Sequence, residues 1–365
     1  MKVAIDVHSL GTQASGNETY FRQLLRGLMS DGSDNRYTLF CAHQAALQDA
    51  SCDSRFSFVP VPSNPVIRLC FSCPRVLARL RPDVFHCQYV SPPFSKTKTV
   101  VSIHDLAYEH FPEFFHPVER LRLKALVPAA ARAADHILTV SNFSARDIRD
   151  RYQIPPEKIT VTYLAAADKF RPRDKQLCQE YLAKIYGIDG PFILYVGRIQ
   201  TRKNLLRLVE AYARVRRQGV APRLVLVGRR DWQFEHLLAK IDQLRLCSSV
   251  ICPGYVSADD LPFFYNSAEL CVFPSIFEGF GLPVVESMAS GVPTITSYGS
   301  SLEEVAGDAA LLVDPFDVSS IADAIQRILG DSKLQNQLVA RGLRRSSEFT
   351  AEDLGQKALG VYRSL

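Results

Sequence analysis

Pro274-Ser-Ile-Phe-Glu278-Gly-Phe-Gly-Leu-Pro-Val-Val-Glu286-Ser-Met-Ala-Ser-Gly-Val-Pro293 follows a short apolar run, residues 270–273, that reads as a buried strand. Two glycines, Gly279 and Gly281, come next, and Pro283 is placed to open a helix, where a missing N–H is harmless. Strand, glycine turn and helix start together make an anion site: unpaired N–H groups point outward and the helix dipole favours negative charge. The two carboxylates, Glu278 and Glu286, would repel a phosphate, so they are expected to face sugar hydroxyls, for which carboxylates are strong acceptors. Phosphate and sugar together suit a nucleotide sugar. The plainer alternative is a glycine-rich turn with a capping glutamate.

The length, 365 residues, favours two domains. At 47% hydrophobic and 22% charged the chain is globular, and a net charge of +5 is too small to argue for nucleic acid. Nine cysteines form no even framework, and Met1-Lys-Val-Ala-Ile-Asp6 places charges where a secretion leader would be apolar. A reducing cytoplasm is therefore the expected location. Cys70 and Cys73 are a lone pair without a second pair at zinc spacing, and no apolar run reaches the roughly 18 residues of a membrane span.

Residues 2–7 read as a strand, followed by a loop to Gly16 and a helix with capping-box spacing, Ser15 as cap and Glu18 reaching back. Leu24, Leu25 and Leu28 continue it at helical spacing. This opening is either a second phosphate or sugar cradle or an ordinary first βα unit, and it lacks the G-x-G-x-x-G dinucleotide pattern. Further strand-like runs at 37–41, 56–61, 84–87, 99–103, 136–140 and 159–162 alternate with helical patterns. Such alternation argues for a parallel sheet covered on both faces. His104 and Asp105 stand directly after the 99–103 strand, and ligands bind outside the carboxyl ends of such strands. His104 is thus either a partner for a substrate hydroxyl or a strand-end histidine bonded to backbone. Segments 66–82 (Arg68, Arg75, Arg79, Arg81) and 119–132 (Arg120, Arg122, Lys124, Arg132) are basic and amphipathic. They are either solvated helix faces or a surface for anionic lipid.

Periodicity lapses near Asp168-Lys-Phe-Arg-Pro172, where the domain boundary is placed: 1–167, then 168–345, with 346–365 returning to the first domain. A second α/β series follows at 192–196, 223–227, 249–252, 270–273, 294–296 and 310–313. Two similar doubly wound domains facing across a cleft are expected, and such clefts are preferred ligand sites. After the first of these strands, Gly197-Arg198 and Lys203-Asn204 place cations at a strand's carboxyl end beside a helix start, which suits a diphosphate. Gly254-Tyr255-Val256 is another post-strand loop, whose backbone could border a nucleobase.

With these residues in view, the chain resembles the retaining glycosyltransferases of family 4, of the two-Rossmann-domain architecture called GT-B. Glu278 to Glu286 looks like the family's E-x7-E signature, and Arg198 with Lys203 like its phosphate-binding pair. Ser15-Gly16 fits its N-terminal glycine loop and His104-Asp105 its acceptor side, with Asn17 standing where a second glycine is frequent. The loop Ser15-Gly-Asn-Glu-Thr-Tyr20 and Ser102-Ile-His-Asp-Leu106 look most like bacterial mannosyltransferases of surface-polysaccharide assembly.

The resemblance implies transfer of a hexose from a GDP- or UDP-sugar, mannose from GDP-mannose being the first expectation, with retention of configuration. Arg198, Lys203 and the helix start near Pro283 would stabilise the leaving diphosphate, so no metal or other cofactor is expected. Glu278 would hold the donor sugar, Glu286 the ribose, and Gly279, Phe280, Gly281 and Leu282 would offer backbone N–H groups. Tyr255 and Val256 would border the base, Gly16 would approach the donor, and Asn17, His104 and Asp105 would face the acceptor, a glycan or polyprenyl-linked glycan. His104 would bind the transferred hexose, and closure of the domains would exclude water. A peripheral position on an anionic membrane follows if the acceptor is lipid-linked. A non-hydrolysing nucleotide-sugar epimerase and a non-catalytic scaffold of the same fold are the competing readings.

Overall fold

The computed structural model describes residues 1–12, 16–42, 53–93, 96–219, 221–230 and 234–365. By its internal contacts the chain divides into one unit of residues 1–164 with 350–365 and another of residues 165–349. The junction lies three residues before the position expected from composition, and the returning segment begins at 350, not 346. The reason for the latter is local. The helix Ser332–Ser347 still packs in the second unit, where Arg345 bonds the carbonyls of Glu304 and Val305.

The first unit carries a seven-stranded parallel sheet: β1 (Lys2–Asp6), β2 (Arg36–Cys41), β3 (Phe56–Pro60), β4 (Val84–Gln88), β5 (Lys98–Ser102), β6 (His136–Thr139) and β7 (Ile159–Val161). Their order is β3-β2-β1-β4-β5-β6-β7. All five residues of β4 are buried, as a central parallel strand requires. Residues Ala4, Phe85 and Val101 of one sheet face meet Cys73, Leu77, Val127 and Ala131 from helices. On the other side of β4, His86 bonds Tyr362 Oη (2.6 Å) and Ser102 Oγ (2.7 Å), and Ser102 Oγ donates to Tyr20 Oη (2.6 Å). Tyr20 belongs to the first helix, Gly16–Met29, and Tyr362 to the last, Ala351–Ser364. These helices touch backbone to backbone: a Cβ on Gly27 would lie 2.0 Å from the Ala351 carbonyl oxygen.

The cap expected at Ser15 lies outside the described residues. Glu18 reaches further back than a capping box would, accepting from Gly11 N–H (3.2 Å) and pairing with Arg22 (2.7 Å). The basic segment from residue 66 is a helix interrupted by a π turn: Pro65–Ile67, Arg68–Ser72, Cys73–Leu80. Arg68 is not one of its surface cations. It is buried and bonds Asp6 Oδ2 at 3.2 Å, at the end of β1.

The second unit holds a six-stranded parallel sheet: β8 (Phe192–Val196), β9 (Arg223–Val227), β10 (Val250–Gly254), β11 (Leu270–Phe273), β12 (Thr294–Ser297) and β13 (Leu311–Val313). The order is β10-β9-β8-β11-β12-β13. In each sheet the strand order reverses at one place, between β1 and β4 and between β8 and β11. Ligands of open α/β sheets bind outside the carboxyl ends of the strands at that place.

Candidate active site

In the second unit the reversal point brings together two loops, 197–204 after β8 and 274–281 after β11. Gly197 has φ 151°, and Ile199 bridges to Arg230 after β9. A single turn, Thr201–Lys203, then leads to Asn204 at φ 62° and the helix Leu205–Arg217. Asn204 does not cap that helix with its side chain. Its buried amide donates to Pro274 O (3.0 Å) and Pro315 O (2.5 Å). Ile276 N–H donates to Arg202 O (2.9 Å), so the two loops are tied backbone to backbone.

Those ties set Glu278 beside two cations. Arg202 Nη1 donates to Glu278 Oε2 (2.8 Å) and to Phe277 O (2.7 Å), and Lys203 Nζ donates to Glu278 Oε1. Burial alone would raise the carboxyl pKa, but Arg202, Lys203 and a bond from Ser275 pull it down to about 2. Glu278 is therefore ionised at every working pH, although only 8% exposed. It lines a small recess with Tyr195, Lys203, Gly281 and Leu302. A larger one is lined by Gln200, Asn204, Arg207 and His236, and neither signature carboxylate lines it.

The helix after the turn runs Leu282–Ala289, so Pro283 is its second residue, not its first. Its cap, Gly281, has φ 101°, and a Cβ there would lie 2.3 Å from Leu302 Cδ2. Only glycine fits both demands. The N–H groups of Gly281 and Leu282 make no hydrogen bond among the described residues, and Pro283 has none to give. Phe280 turns its ring inward, edge-on to Phe349 at 5.7 Å. One turn on, Glu286 accepts from Tyr265 Oη at 2.8 Å. Burial raises its pKa to about 7 against the opposing pull of Tyr265 and Lys169. Tyr255 is 63% exposed and Val256 buried, after Gly254 at φ 86°. Arg198 is exposed, between Gly197 and Ile199.

In the first unit His104 follows β5 next to the reversal point. The ring is 8% exposed, and burial lowers its pKa to about 4. Its Nε2 lies 2.9 Å from Gln88 Nε2, its carbonyl accepts from Ser144 Oγ (2.8 Å), and Tyr20 packs on its ring at 4.6 Å. Nδ1 is buried without a partner among the described residues. Asp105 is occupied locally, accepting from Ala107 N–H (3.0 Å) at the start of a short helix. Asn17 O accepts from Ser9 Oγ and Gln88 Nε2, both at 3.3 Å. Gly16 is exposed at the helix start, where an added Cβ would meet nothing within 4 Å.

The glutamate pinned by two cations and the glycine-capped helix start lie within a stretch that a family model matches. Residues 182–345 match the glycosyl transferases group 1 model and residues 14–165 the Glycosyltransferase Family 4 model. The O-antigen chain mannosyltransferase B of Escherichia coli is 32% identical over 77% of this chain and 74% of its own length. The chain belongs to the family 4 glycosyltransferases. Solved structures agree on the fold. The sucrose-phosphate synthase of Thermosynechococcus elongatus superposes with a TM-score of 0.80 at 21% identity, covering 100% of this chain and 98% of the other. Anabaena HepE, in complex with UDP and glucose, gives 0.78 at 16% identity and full coverage of both. This GT-B glycosyltransferase therefore has the class and architecture its motifs implied.

Of the site residues named from sequence, Lys203, Glu278, Gly279, Phe280, Gly281, Leu282 and Glu286 gather around the β8–β11 reversal point of the second unit. Tyr255 and Val256 stand after β10, two strands away from β8. His104, Asp105, Gly16 and Asn17 belong to the first unit. Sequence reasoning passed over Arg202, Tyr265 and Gln88, and read Asn204 only as part of a helix start. The signal for Arg202 was its place beside Lys203. Tyr265 and Gln88 carry no local signal, because their partners are 21 and 16 residues away.

Proposed function

We propose that this glycosyltransferase moves a hexose, mannose from GDP-mannose first, from a nucleoside-diphosphate sugar to a hydroxyl of a surface glycan, with retention and without a metal. The observation that carries the reading is Glu278, ionised and held between Arg202 and Lys203 at the edge of the Gly281–Leu282 helix start. The E. coli O-antigen relative supports the sugar and the glycan. A diphosphate would take Lys203 from Glu278, which then accepts from hydroxyls of the donor sugar. The same lysine, Arg198 and the Gly281 and Leu282 N–H groups would meet the charge that grows on the leaving diphosphate, the work a metal does elsewhere. Glu286, held by Tyr265, would take the ribose hydroxyls, and Tyr255 and Val256 would border the base. On the first unit, His104 would bind a sugar hydroxyl, with Asn17 and Asp105 on the acceptor side.

A thermal-shift panel of nucleoside diphosphates and their sugars with EDTA present tests donor and metal together. A ligand at a hundred times its dissociation constant adds about 2.7 kcal/mol. Stabilisation by GDP and GDP-mannose, followed by an axial product linkage in NMR, is the expected result. A rise with UDP forms alone would discard the mannosyl reading, and no rise with any nucleotide would discard the enzyme reading.

We also propose that the first unit rests on an anionic membrane when its acceptor is lipid-linked. Among the described residues no helix is long and apolar enough to cross a membrane. The helices Cys73–Leu80 and Pro117–Ala133 pack on one core through Leu77 and Val127. On or beside them, Phe71 is 61% exposed, Val118 71% and Leu121 72%, near exposed Arg75, Arg79, Arg81, Arg122 and Arg132. Apolar side chains flanked by cations suit an anionic bilayer, each cation adding about 1 kcal/mol. Reversing Arg75, Arg79 and Arg81 to Glu is expected to abolish sedimentation with phosphatidylglycerol vesicles, and unchanged sedimentation would remove the proposal.

A further inference from the structure

The Asn17 carbonyl oxygen can only accept a hydrogen bond, and Gln88 meets it at 3.3 Å. That fixes which way the Gln88 amide faces: its NH2 points to Asn17, and the same nitrogen reaches His104 Nε2 at 2.9 Å. An amide nitrogen only donates, so His104 Nε2 accepts and carries no proton. A buried imidazole is neutral and has one ring proton, which leaves it on Nδ1. Nδ1 is fully buried and has no partner among the described residues. Such an orphaned donor is rare, and in a native structure it points to a group the protein lacks on its own.

We infer that Gln88 is the positioning residue of His104: oriented by the Asn17 carbonyl, its amide fixes the Nδ1–H tautomer and reserves that proton for a ligand hydroxyl oxygen. The last step rests on the glycosyl-transfer reading; the tautomer does not. The surroundings favour a fixed ring. Ser144 Oγ holds the His104 carbonyl at 2.8 Å, and Tyr20 covers the ring at 4.6 Å. Directly after Gln88 the chain makes a tight turn, Val90 N–H to Gln88 O at 2.6 Å, which holds Tyr89 at φ 55°. Backbone strain of this kind in a non-glycine residue concentrates at ligand sites. The placement at the end of β4, next to the strand reversal, is where a ligand of this sheet would lie.

The test is a ring-15N-histidine NMR measurement on the full chain, free of ligand, with Gln88→Glu and Gln88→Leu. Glu has the shape of Gln and, when ionised, can only accept from His104, so it is expected to put a proton on Nε2. Leu, which offers no bond at all, is expected to leave a mixture, and it serves if the Glu variant does not fold. The wild type is expected to show a protonated Nδ1 and a bare Nε2. Both variants should lose about tenfold or more in kcat/KM for transfer, the size of one lost hydrogen bond, while binding free nucleoside diphosphate as the wild type does. A wild-type proton on Nε2, or an unchanged tautomer in Gln88→Glu, overturns the inference. Variants with the expected tautomers but wild-type kcat and KM overturn the ligand role. A wild type that transfers no sugar from any donor overturns the function proposed above and leaves the NMR result to decide the Gln88–His104 coupling.

Discussion

A carboxylate that is ionised and already satisfied sits badly with a role in binding, unless its partners are wanted elsewhere. Glu278 is in that position, with Arg202 and Lys203 both bound to it. The two cations are not equivalent. Arg202 also holds the Phe277 carbonyl and so fixes the loop, whereas Lys203 meets the carboxylate as a point charge on a flexible stem. Lys203→Ala is therefore expected to weaken nucleoside-diphosphate binding tenfold or more, by about one charge-assisted bond, with a small change in melting temperature. Calorimetric titration reads the first and a thermal scan the second. Glu278→Ala is expected to cut turnover by orders of magnitude while nucleoside-diphosphate binding survives. Equal turnover in both variants would move the site elsewhere. Glu286 differs in kind, because its pKa is raised to about 7 by burial. Ribose hydroxyls donate better to a carboxylate than to a carboxylic acid. Nucleotide affinity is thus expected to rise with pH through about 7, and Glu286→Gln to flatten that rise in titrations from pH 6 to 8.

At the level of single elements, the glycines divide into those the fold demands and those it does not. Gly281 caps its helix at φ 101° against Leu302, and Gly355 lies on Gly27, where an added Cβ would be 2.3 Å from backbone carbon. Gly16 opens its helix in free space. Gly281→Ala is expected to destabilise by about 1–3 kcal/mol through strain, read as a lower denaturation midpoint with weaker nucleotide binding. Gly16→Ala is expected to be neutral or to stabilise by up to about 1 kcal/mol. A reversed order of the two midpoints would refute this account of the turn. The elements were largely legible in the sequence, since apolar runs of four to six residues between helical patterns mark buried parallel strands. The candidate strands at 192–196, 223–227 and 270–273 are β8, β9 and β11 to the residue. Helix starts were less so. Asn204 has the composition of a cap, yet its side chain ties two distant loops. Arg68 has the composition of a surface cation, yet a π turn and Asp6 hold it inside. Both depend on partners some sixty or more positions away, which periodicity does not report.

For the molecule as a whole, the two units carry buried groups whose titrations oppose one another. His86 and His104 are in the first unit, and burial lowers them to about 3 and about 4. Their ordinary value is 6.5, so between there and about 4 the unfolded chain binds more protons than the folded one. The stability they contribute is present above pH 6.5 and is lost as pH falls through that window, at up to about 1.4 kcal/mol per pH unit for each. His136, also lowered by burial, adds in the same sense. In the second unit Glu286 is raised from 4.5 to about 7, so its folded form takes up the proton first. Its contribution is full below pH 4.5 and is lost as pH rises through 7. Glu278, at about 2, stays ionised throughout, and its pairing with Arg202 and Lys203 persists across the window. Lowering the pH from 7 to 5 should therefore loosen residues 1–164 and 350–365 while leaving 165–349 level or tighter. Amide hydrogen exchange, corrected for the intrinsic pH dependence, reads each unit separately. Faster opening is expected in β4 and β5, whose residues flank His86, and none in β8 and β11. His86→Asn should remove part of the acid sensitivity of the first unit, because the buried group that must charge is gone, even though the variant starts from lower stability. Equal loosening of both units, or an acid slope unchanged in His86→Asn, would show that the buried histidines do not set the acid limit.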